Sequence, residues 1–480
     1  MDAKHTVSVE PAHTEVSPEE HSSLRRTMES RHLVMIALGG VIGSGLFVSS
    51  GYTISQAGPL GSVIAYGIGA IVAYLVMSCL GELAVVYPVS GGFHVYATRN
   101  LGPAWGFATA WLYWLCWAVA LGSEFTASGI LMQRWFPSVP VWVWCLIFAT
   151  ALFTVNAISS RVFGETEFWL SLIKVIAVLT LILVGGAAIL GINPLVSGGA
   201  IGLGNFNTPD GLFPTGFAGV FTTILAVFYA FSGTELIGVA AGEAKDPQRA
   251  IPKAVHTAVI RLTVFFIGAI FVIAAIVPFE TAGTNESPFV TVFDVVGLPG
   301  AADVMNFVII TALLSAGNSG LFSCARMLHS LAAEGQAPRI LAHTTKRGIP
   351  LIALSISLLC GLASLLSSVV APGSLFLALV SIAGFAVVAV WIAIVASHIA
   401  FRRRYVREGG KVEDLAYHSP LFPIVPIVAL IALGISLIGV AFDPAQNAAL
   451  WFGIPFTAAC LGYFRWKHGP GVFRPAAVTN

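Results

Sequence analysis

Charge is scarce in this chain, and that scarcity decides the class of protein. Only 10% of the 480 residues are charged, whereas 57% are hydrophobic, and the mean hydropathy is +0.87. A soluble domain carries about 25% charged residues, so the composition excludes an ordinary soluble domain and predicts a polytopic membrane protein surrounded by a lipid bilayer. The formal net charge of +1 gives no reason to expect nucleic acid as a partner.

Metal-binding and disulfide patterns are missing as well. The six cysteines show no CxxC spacing and lie in apolar segments, so they are interpreted as small buried hydrophobes. None of the 11 histidines falls in the middle of an apolar run, and no HxxxH pair occurs. We therefore expect no metal site, no cofactor and no membrane metalloenzyme.

What the chain does contain is a series of long apolar runs bounded by charged residues, Pro and Gly. They predict an all-α protein with twelve transmembrane helices. The predicted helices cover residues 32–50, 60–87, 101–132, 140–158, 168–190, 214–241, 256–278, 302–330, 350–369, 374–400, 421–441 and 447–465. Because the number is even, both termini lie on the same side of the membrane.

The lysines and arginines predict which side that is. With the N-terminus inside, 22 of the 24 fall in cytosolic segments, while Arg134 falls outside and Lys174 falls within a span. Cytoplasmic loops carry an excess of Lys and Arg. The count therefore predicts a multi-pass membrane protein with both termini in the cytoplasm.

Two of the predicted spans are interrupted by small residues. Gly43-Ser44-Gly45 interrupts the first, and Ser232-Gly233-Thr234 interrupts the sixth. In lipid, such a break is tolerated only where the freed N–H and C=O groups face protein or a watery cavity. A pair of interrupted spans at corresponding places in two halves is the best sequence indicator of a transporter's substrate site.

The positions of the two breaks predict two inverted five-helix repeats followed by two extra helices. The predicted segments are a cytoplasmic N-terminal tail (1–30), the first repeat (31–190), an extracytoplasmic loop (191–213), the second repeat (214–400), a cytoplasmic loop (401–420), helices 11 and 12 (421–465) and a cytoplasmic C-terminal tail (466–480).

Ionisable residues inside spans are functional hypotheses, because a charge at mid-membrane costs about 2.5–3.5 kcal/mol on insertion scales. Lys174 either extends its ammonium to the membrane surface or faces the first and eighth helices as a proton-binding group. Glu235, directly behind the second break, either caps the following half-helix or serves a proton or gate function, and the two roles are compatible.

Two further acids lie within spans. Glu124, in the outer half of the third helix, either meets a substrate side chain or ammonium in the cavity or hydrogen-bonds locally. Glu82, near the inner end of the second helix, is interpreted as a structural or inner-gate ion-pair partner. Among the aromatic residues of the third and sixth helices, which are mostly packing, Tyr229 beside the second break is predicted to reach the substrate.

Several motifs resemble one family, the amino acid, polyamine and organocation transporters, and within it the bacterial amino acid permeases, most closely the lysine-specific permeases. The resemblance spans residues 31 to 465. The motifs are Ile42-Gly-Ser-Gly-Leu-Phe47, Gly81-Glu-Leu-Ala84 with Tyr87-Pro-Val-Ser-Gly-Gly92, Phe168-Trp-Leu-Ser-Leu-Ile-Lys174, Gly233-Thr-Glu-Leu-Ile-Gly238, Ala241-Gly-Glu-Ala-Lys-Asp-Pro247 and Leu314-Ser-Ala-Gly-Asn-Ser319.

The resemblance implies alternating access and a set of site residues. It implies that the N–H groups of Gly43, Ser44 and Gly45 hold the substrate carboxylate at a half-helix N-terminus. Carbonyls of Ile42, Tyr229 and Ser232 would accept hydrogen bonds from the α-ammonium. Lys174 and Glu235 match the positions implicated in proton coupling and gating.

The leading prediction is a proton-coupled permease that imports a cationic amino acid such as lysine. The alternative is the same mechanism for a large neutral or aromatic amino acid, because this chain carries Glu124 where lysine permeases tend to carry aspartate. A channel is disfavoured since no filter sequence or charge ring appears, and an enzyme since no nucleophile and base converge at one depth. The expected partners are the amino acid, a proton and lipid; no obligate protein partner is evident.

Overall fold

The fold is helical throughout the part of the chain that the structure describes. It is a computed structural model that describes residues 39–89, 92–158, 161–192, 200–239, 241, 246–345 and 348–474. The predicted N-terminal tail and most of the motif that begins at Ala241 lie outside the described residues. Within those ranges no strand occurs, and the single β-type pairing joins Thr208 and Gly211. The predicted all-α class is confirmed.

The described helices follow one another along the chain, and the longest connections precede Ala218, Leu351 and Ile424. In chain order they are α1 (Ser44–Phe47), α2 (Ser49–Val86), α3 (Phe93–Asn100), α4 (Pro103–Met132), α5 (Val141–Ile158), α6 (Arg161–Ile189), α7 (Ala218–Ala230), α8 (Leu236–Val239), α9 (Pro247–Ile276), α10 (Pro288–Val296), α11 (Ala301–Ala333), α12 (Leu351–Gly361), α13 (Pro372–Arg407), α14 (Ile424–Val440) and α15 (Ala448–His468). Short 3₁₀ helices cover Gly204–Phe206, Arg339–Ala342, Leu362–Ser368 and Val412–Asp414.

Eight of the described helical segments are long and apolar enough to cross a membrane, and α7 and α14 are shorter apolar helices. Helix α2 contains a turn at Gly58, where φ is +73°, a backbone conformation that glycine adopts without steric cost. The first predicted span therefore continues past its expected end at residue 50. Helix α2 contains the end of this span, the turn and the second predicted span. These findings support an integral membrane protein, and the number of twelve crossings stays a prediction.

The first predicted break lies just before α1. Residues 39–41 are helical, Gly43 is extended with φ −146° and ψ −153°, and helix resumes at Ser44. The carbonyl of Gly43 accepts hydrogen bonds from the N–H groups of Leu46 and Phe47, each at 3.1 Å. Glycine and serine weaken a helix at this point because of backbone entropy and competing hydrogen bonds, so the local sequence accounts for the break.

The second break separates α7 from α8. Residues 231–235 form turns, and Gly233 adopts φ +98°, in the left-handed region that favours glycine. A Cβ atom on Gly233 would lie 3.0 Å from the carbonyl carbon of Gly40. The two breaks are therefore in direct contact, although almost 200 residues separate them in sequence.

Helix α4 forms the centre of the bundle. In its most apolar 18-residue window, 94% of the residues are buried, compared with 17% in α5. It packs along both α11 and α13. A helix surrounded in this way presents its few polar side chains to protein rather than to lipid, and that is the environment of Glu124.

Candidate functional site

A small cavity lies where the two breaks meet α4 and α11. Its lining residues are Gly40, Val41, Gly43, Gly45, Cys116, Trp117, Ala120, Leu121, Glu124, Tyr229, Ser232, Ala316, Gly317 and Gly320. The volume is about 20 Å³, which is room for one or two water molecules. In this conformation the side chains close around the space, so a molecule as large as an amino acid enters only when they move apart.

The carboxylate of Glu124 is bound at the start of α1. The Ser44 N–H lies 3.1 Å from Oε1 and 3.3 Å from Oε2 of Glu124, and the Ser44 hydroxyl donates to Oε1 at 2.9 Å. Glu124 is 6% exposed and Ser44 is fully buried. Glu124 therefore lines the cavity and is hydrogen-bonded to protein at the same time, and its contact with a substrate stays a prediction.

Tyr229 connects the second break to the same group. Its hydroxyl lies 3.3 Å from the Ser44 hydroxyl and 2.9 Å from the Ser123 hydroxyl. The side chain reaches across the cavity from α7 to α1 and α4. The Tyr229 hydroxyl therefore contacts a predicted anion-binding residue, Ser44, and contact between Tyr229 and the substrate stays a prediction.

Two glycines of the first break keep the backbone close to its neighbours. A Cβ atom on Gly43 would lie 2.8 Å from Oε1 of Glu124, and one on Gly45 would lie 2.7 Å from Cα of Ala230. Both separations are shorter than real Cβ contacts, so any side chain here would push apart the groups around the cavity. The close packing explains why glycine is needed on both sides of Ser44.

Lys174 is buried away from the cavity, against the first helix. Its Nζ donates a hydrogen bond to the carbonyl of Gly39 at 2.8 Å, and the side chain has no exposed surface. Gly39 precedes the first break. The ammonium does not extend to the membrane surface, which removes one of the two interpretations of this residue.

Glu235 lies inside the second break. Its two carboxylate oxygens accept from the N–H of Gly233 at 3.0 and 3.1 Å, and Oε2 also lies 3.3 Å from Nε1 of Trp391. Gly233 lies in the turn before α8, so the acid binds an N–H of the break itself rather than an N–H of the following helix. The geometry is that of a structural carboxylate that also links the break to α13.

A buried charge pair lies near the C-terminal end of α2. Glu82 accepts from the Arg402 guanidinium, with the second contact at 2.7 Å, and from the Ser419 N–H at 2.6 Å. Nε2 of His398 lies 3.0 Å from the same carboxylate. Glu82 therefore forms the predicted ion pair, and its partner is Arg402. These contacts connect α2 to α13 and to the segment that precedes α14.

At the opposite end of the bundle, Arg134 joins three carboxylates. It contacts Glu286 at 2.9 Å, Asp294 at 2.8 Å and Asp303 at 2.8 Å. The hydrogen bond to Asp294 is the main cause that raises the pKa of Arg134, and burial raises the pKa of Glu286. These contacts connect the end of α4 with α10 and the start of α11.

The structure brings five of the predicted binding residues to one cavity and leaves others beside it. The predicted residues that line it are Gly43, Gly45, Glu124, Tyr229 and Ser232. Ser44 reaches it through the contacts with Glu124, Ile42 is buried behind the lining, and neither Lys174 nor Glu235 lines the cavity.

The remaining lining residues were not among the predicted site residues. Leu121, Ala120, Trp117 and Cys116 stand three, four, seven and eight positions before Glu124, which places them on the same face of α4. The helical period of α4 therefore indicated that these four residues share a face with Glu124. Trp117 also has a buried indole N–H without a hydrogen-bond partner among the described residues.

Comparisons with known proteins agree on one family. A family model described as "Amino acid permease" matches residues 32–465. Amino-acid permease RocE of Bacillus subtilis is 49% identical over 439 residues, covering 92% of this chain and 94% of that protein. In Lactococcus lactis, lysine-specific permease LysP is 42% identical over 465 residues (92% and 90%) and histidine permease HisP is 38% identical over 466 residues (94% and 96%). The predicted resemblance is confirmed.

Proposed function

The chain belongs to the amino acid permease family, and from that premise we propose that it imports an amino acid together with a proton by alternating access. The family is one of transporters, so the prediction that the chain is not an enzyme is confirmed. The observation that carries the proposal is the cavity between the two broken helices, with Ser44, Glu124 and Tyr229 in contact beside it.

The start of α1 is the proposed site for the substrate carboxylate. Its Ser44 N–H and hydroxyl already bind one carboxylate, that of Glu124, which demonstrates that these donors suit the charge and shape of the group. Gly43 and Gly45 allow a ligand to approach the backbone closely. In this proposal the carbonyls of Ile42, Tyr229 and Ser232 receive the substrate ammonium.

The side chain of the substrate faces α4 and α11. Glu124 is the one acid among the lining residues, and it supports the first candidate, a cationic amino acid such as lysine. Trp117, Leu121 and the small residues of α11 favour the second candidate, a large neutral or aromatic amino acid. The names of relatives include a lysine-specific and a histidine permease, so both candidates belong in the substrate panel.

Proton coupling is assigned to Lys174. Its ammonium is fully buried and bonded to the carbonyl of Gly39 just before the first break. Loss of the proton would weaken this contact, and a change in the contact would alter the first helix where it borders the cavity. An ammonium at this position also supplies the positive charge that a bound sodium ion would supply. This favours a proton over sodium as the coupling ion. Glu235 is assigned a gating role through Gly233.

The proposed architecture is twelve crossings in two inverted five-helix repeats with two further helices, in the cytoplasmic membrane. Support comes from the position of the breaks in the first and sixth predicted spans and from described helices within each predicted span. The proposed orientation, with both termini in the cytosol, follows from the lysines and arginines.

The experiment is uptake by the purified protein in liposomes with an imposed pH gradient, acidic outside, in sodium-free buffer. We expect accumulation of a labelled amino acid that collapses when a protonophore is added. Competition of labelled lysine uptake by cationic, neutral and aromatic amino acids identifies the side chain. Strict dependence on sodium, or uptake that ignores the pH gradient, would contradict the proposed coupling.

A further inference from the structure

Glu124 holds the place that a substrate carboxylate would take. We infer that its carboxylate is a built-in competitor: it binds the donors of Ser44 until a substrate carboxylate displaces it, and this displacement is the first step of substrate binding. The inference rests on the proposed function, because it assumes that an amino acid binds at the first break.

The geometry of the contact carries the inference. Both oxygens of Glu124 lie within 3.3 Å of the Ser44 N–H, and the Ser44 hydroxyl donates to one of them at 2.9 Å. This is the pattern expected for a free carboxylate bound at the start of a half-helix. Glu124 comes from α4, 80 residues away in sequence, so the contact is not a local cap of α1.

Two carboxylates do not fit these donors together. The cavity volume is about 20 Å³, and the space beside Gly43 is already filled, since a Cβ atom there would lie 2.8 Å from Oε1 of Glu124. Two like charges at one buried position also repel strongly because little water screens them. A substrate carboxylate therefore reaches the Ser44 donors only after the Glu124 carboxylate leaves them.

The remainder of the cavity is suited to a ligand rather than to Glu124. Trp117 lines it, is 8% exposed, and has an indole N–H without a partner among the described residues. Buried donors are normally satisfied. Among the described residues, the Glu124 carboxylate bonds to Ser44 and not to this indole.

The displacement step predicts that truncating Glu124 increases the affinity for substrate. Removing the competing carboxylate should tighten the binding of a neutral amino acid such as leucine, whereas removing an attractive contact or a structural one would weaken it. A hydrogen bond to a charged group is worth enough that we expect roughly tenfold tighter binding of leucine by Glu124→Ala. Glu124→Gln keeps the size and removes the charge, so it should also bind leucine more tightly than the unmutated protein does.

The experiment measures the Kd of leucine, histidine and lysine for the purified unmutated protein and for both variants. Thr126→Val is the matched control, because its hydroxyl bonds to the carbonyl of Gly122 within α4 at 2.7 Å and does not line the cavity. Its affinity should not change. Propionate, a free carboxylate close in size to the deleted group, should compete with leucine in Glu124→Ala and not in Thr126→Val.

The outcomes separate the inference from the proposed function. Leucine binding that is unchanged or weaker in both Glu124 variants overturns the inference, as does propionate that competes equally in Thr126→Val and Glu124→Ala. If Glu124→Ala does not fold, Glu124→Gln decides alone. An unmutated protein that binds no amino acid refutes the proposed function itself.

Discussion

Replacing Lys174 with methionine tests the coupling mechanism directly, because it removes the charge and keeps a similar volume. The ammonium is completely buried and donates to the carbonyl of Gly39 at 2.8 Å. We expect the variant to fold and to retain substrate binding or exchange but to lose accumulation driven by a pH gradient. Lys174→Arg keeps the charge and does not release its proton, so it should lose accumulation too.

The effect of Lys174→Met on stability is small because two terms oppose each other. A charged lysine at mid-membrane costs about 2.5–3.5 kcal/mol, and this cost disappears in the variant. The hydrogen bond to Gly39 contributes about 1.5–3 kcal/mol, and its loss leaves the carbonyl without that donor. The terms cancel to within about 2 kcal/mol, so lost transport in the variant would not reflect unfolding.

The assay is uptake into liposomes with an acidic exterior and no sodium, alongside substrate exchange without a gradient. Ile173→Met is the matched control, because Ile173 is the preceding residue and is 37% exposed on the surface of α6. It should accumulate substrate normally. Full gradient-driven accumulation by Lys174→Met would refute the reasoning, whatever the stability of the variant.

Three further predictions follow from individual contacts. Gly43→Val should abolish substrate binding but not membrane insertion, since its branched side chain would fill the space beside the Ser44 donors, where a Cβ atom would lie 2.8 Å from Oε1 of Glu124; substrate-induced thermal stabilisation equal to that of the unmutated protein would contradict this. Arg402→Met should destabilise by about 3–5 kcal/mol because it removes the guanidinium that pairs with the buried Glu82 carboxylate, and adding Glu82→Gln should recover much of the loss in a denaturant series. Arg134→Gln should lower the unfolding temperature more at low salt than at high salt, because salt screens exposed ion pairs, as measured by thermal unfolding.

The sequence was most informative about the two breaks, because their cause is local. Clustered glycine and serine weaken a helix, and the structure has its two interruptions at the predicted Gly43-Ser44-Gly45 and Ser232-Gly233-Thr234. The end of the first helix was less predictable. The chain turns at Gly58 rather than near residue 50, and Pro214, which packs beside that glycine, comes from a distant loop that no local pattern reveals.

The site was only partly predictable for the same reason. Burial and charge marked Glu124, Lys174 and Glu235 as exceptional, since a charge in a span has a high cost. Their partners depend on tertiary packing: the contact of Glu124 with Ser44 spans 80 residues and that of Lys174 with Gly39 spans 135. The predicted list therefore included buried side chains that lie at or near the breaks, but not the bond that joins Glu124 to the first break.

The contacts between the breaks suggest how the two ionisable groups act on one site. Lys174 holds the carbonyl of Gly39, the next residue Gly40 touches Gly233, and the N–H of Gly233 is held by Glu235. Gly40 also lines the cavity. A change in protonation at Lys174 therefore acts on backbone that is two contacts away from Glu235 and directly beside the substrate. Because packed backbone transmits small shifts without much compression, we expect Lys174→Met and Glu235→Gln to change substrate affinity in a non-additive way. A double-mutant cycle on substrate binding measures the coupling, and additive effects of the two substitutions would show that Lys174 and Glu235 act independently.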